Sequence, residues 1–221
     1  RLVDFLDQKS QVVALNSGTA AIHLGLQLLG VQKGDVVLCQ SLTFIASVNP
    51  VLYLGATPVF IGSEKETWNL CPIALEEAIL NQLNKGIQPK AIVVVHLYGM
   101  PAKMNEIITI SKKYNIPILE DAAEALGSSY DGKPCGTFGD FGVLSFNGNK
   151  IITTSGGGAL ICHSEIDKKK AIFLATQAKE DAVHYEHTQV GYNYRMSNVA
   201  ASIGLGQLEV LSEHIQLRKQ N

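Results

Sequence analysis

KAIVVVHLYGMPAKMNEIITISKKYNIPILEDAAE, Lys90 to Glu124, is the stretch that decides the fold. Lys90–Val95 runs through Ala, Ile and Val without polar alternation, so it reads as a strand buried on both faces. Met104–Tyr114 reads as a helix. Ile116–Leu119 reads as a second strand, ending in the acids Glu120 and Asp121. Two buried strands with a helix between them imply parallel pairing through a crossover.

The same alternation extends in both directions. Upstream, Val12–Leu15 is a short strand, followed by a helix with Ile22, Leu24, Leu26, Leu28 and Leu29 and closed by Gly30. Asp35–Cys39 is a strand, about Phe44 to Leu54 a helix, and Thr57–Ile61 a strand. Pro72 opens a helix with Leu75, Ala78, Ile79 and Leu83 on one face. Downstream, Asp131-Gly132 marks a hairpin turn. Val143–Phe146 and Ala159–Cys162 read as strands, and Asp167–Ala178 as a helix. From about Ser197 a long helix carries Val199, Ile203, Leu208 and Leu211 as its apolar positions. The fold class is therefore α/β, a mostly parallel sheet covered on both faces.

Bulk composition narrows the function classes. The 221 residues are 46% hydrophobic and 17% charged, which suits a sizeable core and argues against disorder. A net charge of −2 without a basic stripe points to neither nucleic acid nor an anionic membrane. The longest apolar runs are strand-sized, far short of a membrane span. No signal-peptide pattern opens the chain, which starts at Arg1 rather than Met, so a missing true N-terminus is expected. Cys39, Cys71, Cys135 and Cys162 form no C-x-x-C pair and fit no zinc spacing. They read as reduced cysteines of a cytoplasmic protein. His184 and His187 could share a helix face as metal ligands, but histidines in a polar stretch are more often solvated, and no metal site is expected.

In open α/β sheets, ligands sit at the carboxyl ends of the strands, and four polar clusters fall there. Ser17-Gly18-Thr19-Ala20 lies between a strand and a helix. It reads either as an anion site on helix N–H groups or as an ordinary cap with Ser17 or Thr19. Glu120-Asp121-Ala122-Ala123-Glu124 could bind a metal, act as a base or pair with a protonated ring nitrogen. It could equally be a helix cap with Glu124 closing a capping box. Ser145-Phe146-Asn147-Gly148-Asn149-Lys150 places one lysine between two strands. A lysine of pKa near 10.4 is a poor nucleophile unless apolar surroundings lower that value; the alternative is a solvated loop residue. Gly156-Gly157-Gly158 follows, suited to close backbone approach or to a plain turn. Gly191-Tyr192-Asn193-Tyr194-Arg195 suits ligand contact, a subunit interface, or a loop capped by Ser197.

Taken in order, these segments resemble the DegT/DnrJ/StrS sugar aminotransferases, a family of fold-type-I pyridoxal-phosphate (PLP) enzymes. The matching stretches are Asn16–Ala21, Leu42–Ser47, Glu120–Ala123, Ser145-Phe146 with Lys150, and Gly191–Arg195. The resemblance implies that Lys150 is the Schiff-base lysine and proton shuttle, and that Asp121 partners the pyridinium nitrogen as the second catalytic residue. It implies that Phe44 stacks on the ring, and that Gly18, Thr19, Ala20 and Ser145 hold the phosphate. Asn193 would reach the phosphate of a neighbouring subunit, so a homodimer with shared sites is expected. Glu124 stands where the family often has His or Gln near the cofactor. Asn147 and Arg195 are candidate substrate contacts. Many members carry an acid in the segment matched by Ser155–Gly158, and this chain does not.

The stretch Asn147–Thr154 is similar to the lysine segment of enzymes that aminate carbon 4 of nucleotide-linked 4-keto-6-deoxy sugars. The nearest likeness is to the bacillosamine type, which uses a UDP-linked 2-acetamido-4-keto sugar; perosamine synthases, which use a GDP sugar, share a related segment. Lysine rather than histidine at position 150 disfavours the family's dehydratase branch. The implied amine donor is L-glutamate. The expected layout is a PLP-binding large domain over residues 1–200, with 201–221 starting a linker helix toward a small C-terminal domain that the chain lacks. A cyclitol or 3-keto-sugar aminotransferase, or a PLP-binding module without turnover, are the competing readings.

Overall fold

The computed structural model describes residues 1–220. In chain order the strands are β1 (Gln11–Leu15), β2 (Val36–Gln40), β3 (Thr57–Ile61), β4 (Ala91–Val95), β5 (Ile118–Asp121), β6 (Ser129–Tyr130), β7 (Lys133–Pro134), β8 (Phe141–Ser145) and β9 (Gly158–Cys162). The helices are α1 (Gly18–Leu28), α2 (Asn49–Tyr53), α3 (Pro72–Asn84), α4 (Met104–Tyr114), α5 (Glu165–Ala175) and α6 (Asn198–Gln220). Seven strands form one sheet in the order β1-β9-β8-β5-β4-β2-β3, and β6 and β7 form a separate hairpin. That hairpin turns at Asp131 and Gly132, both at positive φ, as expected for its sequence.

Strand direction places the functional edge. The pairs β2–β3, β2–β4, β4–β5 and β5–β8 are parallel. β9 runs antiparallel to both β8 and β1, so β1 points the same way as β8. Six strands thus deliver their carboxyl ends to one edge of the sheet, and β9 begins there.

Both faces of the sheet are covered, which is why β4 carries no alternation. Ala91 and Val93 pack with α1, α2 and α5 in one buried cluster. Ile92 and Val94 point the other way, into a cluster with Leu75 and Ile79 of α3 and Met104 and Ile107 of α4. A third cluster joins β8 and β9 to Leu211 of α6.

Several boundaries differ from the sequence reading. The helix expected over Phe44–Leu54 is a 3-10 turn at Ile45–Ser47 followed by the short α2. Pro50 has no N–H to give the carbonyl of Ala46, so one continuous helix is unavailable. The strand expected at Ile116–Leu119 is β5, two residues later, so both acids lie inside it. The helix expected over Asp167–Ala178 starts at Glu165, because the Ser164 hydroxyl caps it by accepting from Asp167 N. In α6 the apolar stripe packs only in part: Leu211 is buried, while Val199 and Ile203 are exposed. Of the segment expected as a linker helix, Asn221 lies outside the described residues.

Candidate active site

The strand ends surround a cleft of about 1020 Å³. The phosphate candidates lie where β1 meets α1. Ser17 caps the helix, its Oγ accepting from Ala20 N at 3.0 Å. The cap and the anion site are therefore compatible, because Ser17, Gly18 and Thr19 all line the cleft. Gly18 lets β8 come close: a Cβ there would lie 3.0 Å from Ser145 Cβ. Gly158 has the same role from β9, since a Cβ there would lie 2.6 Å from Ser17 O. Helix N–H groups and the Ser145 hydroxyl thus border one pocket, a donor set suited to phosphate.

Asp121 ends β5, almost fully buried at the cleft floor. Its Oδ2 accepts from Ser47 Oγ at 2.7 Å and its Oδ1 from Ala123 N at 3.1 Å. Ser47 is held in turn by Thr43, with 2.8 Å between the hydroxyls. Burial pushes the Asp121 carboxyl up; the hydrogen bonds and the charge of Lys150 oppose that without cancelling it. No helix begins here, so the capping-box alternative does not describe this segment. A buried carboxylate with neutral hydrogen-bond donors gains from a cation in the cleft, and a protonated pyridine nitrogen is such a group.

Lys150 is not a solvated loop lysine. Its side chain is 12% exposed and its Nζ is ion-paired with Glu124. The segment that carries it, between β8 and β9, is anchored at its base by Phe146 N to Gly157 O and Thr154 N to Phe146 O, both 2.9 Å. Phe44, Asn147 and Glu124 also line the cleft. Three expected site residues do not. Ala20 is buried in α1 with its N–H committed to Ser17. Asn193 and Arg195 are exposed, their backbones paired with Thr176 and Leu15. The carbonyl of Asn193 accepts from Asn16 Nδ2 at 3.0 Å, which ties its loop to a cleft residue.

Sequence reasoning missed two features. Ser47 lies in the Leu42–Ser47 match, where the resemblance implies a role for Phe44 alone; a hydroxyl in an apolar turn is the available signal. Glu120, beside Asp121, faces the opposite side of the sheet. It accepts from His96 Nε2 at 2.7 Å, Phe138 N at 2.7 Å, Gly139 N at 3.0 Å and Gly136 N. Ala102 N donates to His96 Nδ1 at 3.0 Å, so Nε2 carries the proton given to Glu120. Burial opposes ionisation of Glu120, and these hydrogen bonds outweigh it, holding the carboxyl below its ordinary value. Cys135 stands close enough to complete a metal triad with this pair. The pair's lone pairs are already committed, and burial pushes the Cys135 thiol to about 12, so the group suits a structural network rather than a metal.

Comparison with known proteins agrees with this geometry. The model of the DegT/DnrJ/EryC1/StrS aminotransferase family matches residues 1–221. A Bacillus subtilis protein named "Putative pyridoxal phosphate-dependent aminotransferase EpsN" is 56% identical over 93% of this chain and 53% of its own length. The GDP-perosamine synthase of Escherichia coli O157:H7 is 42% identical over 93% of this chain and 55% of its own. The UDP-4-amino-4,6-dideoxy-N-acetyl-beta-L-altrosamine transaminase of Campylobacter jejuni is 37% identical over 99% and 57%. A crystal structure of a DegT DnrJ EryC1 StrS aminotransferase from Brucella abortus superposes with a TM-score of 0.88 at 31% identity, covering 92% of this chain and 55% of that one. The chain spans about half the length of the curated relatives it matches. From these matches and the shared fold, the chain belongs to the DegT/DnrJ/EryC1/StrS aminotransferase family.

Proposed function

We propose that this chain is the cofactor-binding part of a PLP-dependent sugar aminotransferase. The observation that carries the reading is one cleft lined by a largely buried lysine, a buried carboxylate and a helix N-terminus. In this reading the α1 N–H groups and Ser145 bind the phosphate. Asp121 holds a proton on the ring nitrogen, Phe44 covers the ring face, and Lys150 binds the cofactor and moves the proton at its Nζ. The bound cofactor supplies an electron sink for the bond broken beside the transferred nitrogen. Glu124 holds Lys150 before the cofactor arrives, and Asn147, which lines the cleft, is a substrate contact.

The transfer we propose runs from L-glutamate to carbon 4 of a nucleotide-linked 4-keto-6-deoxy sugar, with UDP-2-acetamido-2,6-dideoxy-4-hexulose as the first candidate. The product would enter a surface polysaccharide or glycan. Relatives named GDP-perosamine synthase and UDP-4-amino-4,6-dideoxy-N-acetyl-beta-L-altrosamine transaminase support this class. The working unit would be a cytoplasmic homodimer in which Asn193 serves the partner's phosphate.

The test is optical. Added PLP should give a visible absorbance band that glutamate bleaches and the correct keto sugar restores. A band that persists unchanged in Lys150→Ala would sink the reading, and a 3-keto sugar restoring the band in place of a 4-keto sugar would move the substrate.

A further inference from the structure

The loop after β3 holds the chain's only tryptophan. Trp68 stands at φ +63°, and Tyr98, after β4, at φ +52°. Bulky side chains avoid this left-handed region, and they persist there only where the surroundings hold them. Here they do. Asn69, fully buried, donates to Met100 O at 2.8 Å and accepts from Leu97 N at 2.8 Å, which locks the two loops together. The Glu64 carboxylate accepts from Glu66 N at 2.8 Å and Thr67 N at 2.7 Å, and Lys103 pairs with both Glu64 and Glu66. The two rings fixed in this way are 63% and 90% exposed, and both line the cleft. Strain spent on holding aromatic faces out of the core contributes nothing to burial. It prepares a surface for a flat partner.

Sheet order says where that surface lies. Trp68 follows β3 and Lys150 follows β8, four places apart in the sheet, about 19 Å at roughly 4.8 Å per strand. One cleft is lined by Lys150, Trp68 and Tyr98, so a substrate with its keto sugar at Lys150 and a diphosphate beyond it has the length to bring its base to the two rings. Stacking on an aromatic face tolerates any base, because every base has a π-face. We infer that Trp68 and Tyr98 form a stacking rim for the nucleobase of a nucleoside-diphosphate sugar. This rests on the nucleotide-sugar reading above and adds the residues that recognise the carrier.

Trp68 reports on its own site. The PLP-loaded chain is titrated with UDP, GDP and inorganic pyrophosphate while Trp68 emission is followed. UDP or GDP should quench it saturably, and pyrophosphate, which has no base, should not. Tyr98→Gly keeps the reporter and suits the left-handed backbone, so it should fold. It should raise the dissociation constant about tenfold, the size of one lost stacking contact. Trp68→Gly should do the same by calorimetry. Equal quenching by pyrophosphate, or no nucleotide binding by either method, overturns the rim. So does emission that depends on chain concentration alone, which would make these rings a contact between two copies. Nucleotide quenching in a chain that takes up no PLP keeps the rim and sinks the aminotransferase reading instead.

Discussion

Ser47 donates its hydroxyl to Asp121 Oδ2 at 2.7 Å, and the other oxygen of that carboxylate takes the N–H of Ala123. Both donors are neutral, so burial dominates and pushes the carboxyl above its ordinary value. The native state then binds the proton more tightly than the unfolded chain does. Stability from this group is full below the unfolded value of about 3.9 and is lost as pH rises toward the folded value. Asp121→Asn should therefore raise the melting temperature of the cofactor-free chain at neutral pH. Its amide can keep both contacts, since Ser47 can turn its proton to Thr43. The gain should shrink as pH falls toward about 4, and the variant should lose its hold on PLP. Thermal scans across pH and cofactor retention on a sizing column check this; a variant less stable at every pH would refute it.

Glu120 carries the opposite sign. Its carboxyl is held below its ordinary value by hydrogen bonds from His96 and backbone N–H groups. It contributes stability above the unfolded value, near 4.3, that is lost as pH falls through the folded one. Glu120→Gln turns one acceptor into a donor amid N–H groups that have no other partner there. The cost should be about 1–3 kcal/mol at neutral pH. Urea titrations at neutral pH and again in acid should show the gap between the two proteins closing in acid.

The contrast between these adjacent acids shows what a sequence can carry. The run Ala91–Val95 gave away its two-sided burial by composition alone, and the sheet followed. Asp121 and Lys150 were legible because their order among other segments resembles a known family. Residue by residue, each had an ordinary alternative. Glu120 was not legible, because which neighbour faces the cleft depends on strand phase, and β5 starts two residues later than its apolar run suggested. Ser47 and Asn69 act across long gaps in sequence, on Asp121 and on the Leu97–Met100 loop. No local pattern encodes such contacts. In α6, helical spacing marks Val199 and Leu211 alike, yet Leu211 is buried against β8 and β9 while Val199 is exposed.

The triplet Gly156-Gly157-Gly158 could be read as a plain turn or as a site of close approach, and the backbone separates its members. A Cβ on Gly158 would lie 2.6 Å from Ser17 O and closer still to Gly18 N, while one on Gly156 would meet only Asn16 O at 4.0 Å. Ser17 and Gly18 are backbone at the start of α1, so they cannot rotate aside as a side chain would. Gly158→Ala should therefore cost about 1–3 kcal/mol from overpacking. It should also weaken PLP binding, because relief of the clash moves the helix N-terminus proposed to bind the phosphate. Gly156→Ala should leave both nearly unchanged. Urea midpoints and PLP titrations of the two variants make the comparison. Equal behaviour would return the triplet to a flexible turn, and a Gly158→Ala chain that loses stability but binds PLP as before would separate the close packing from the phosphate site.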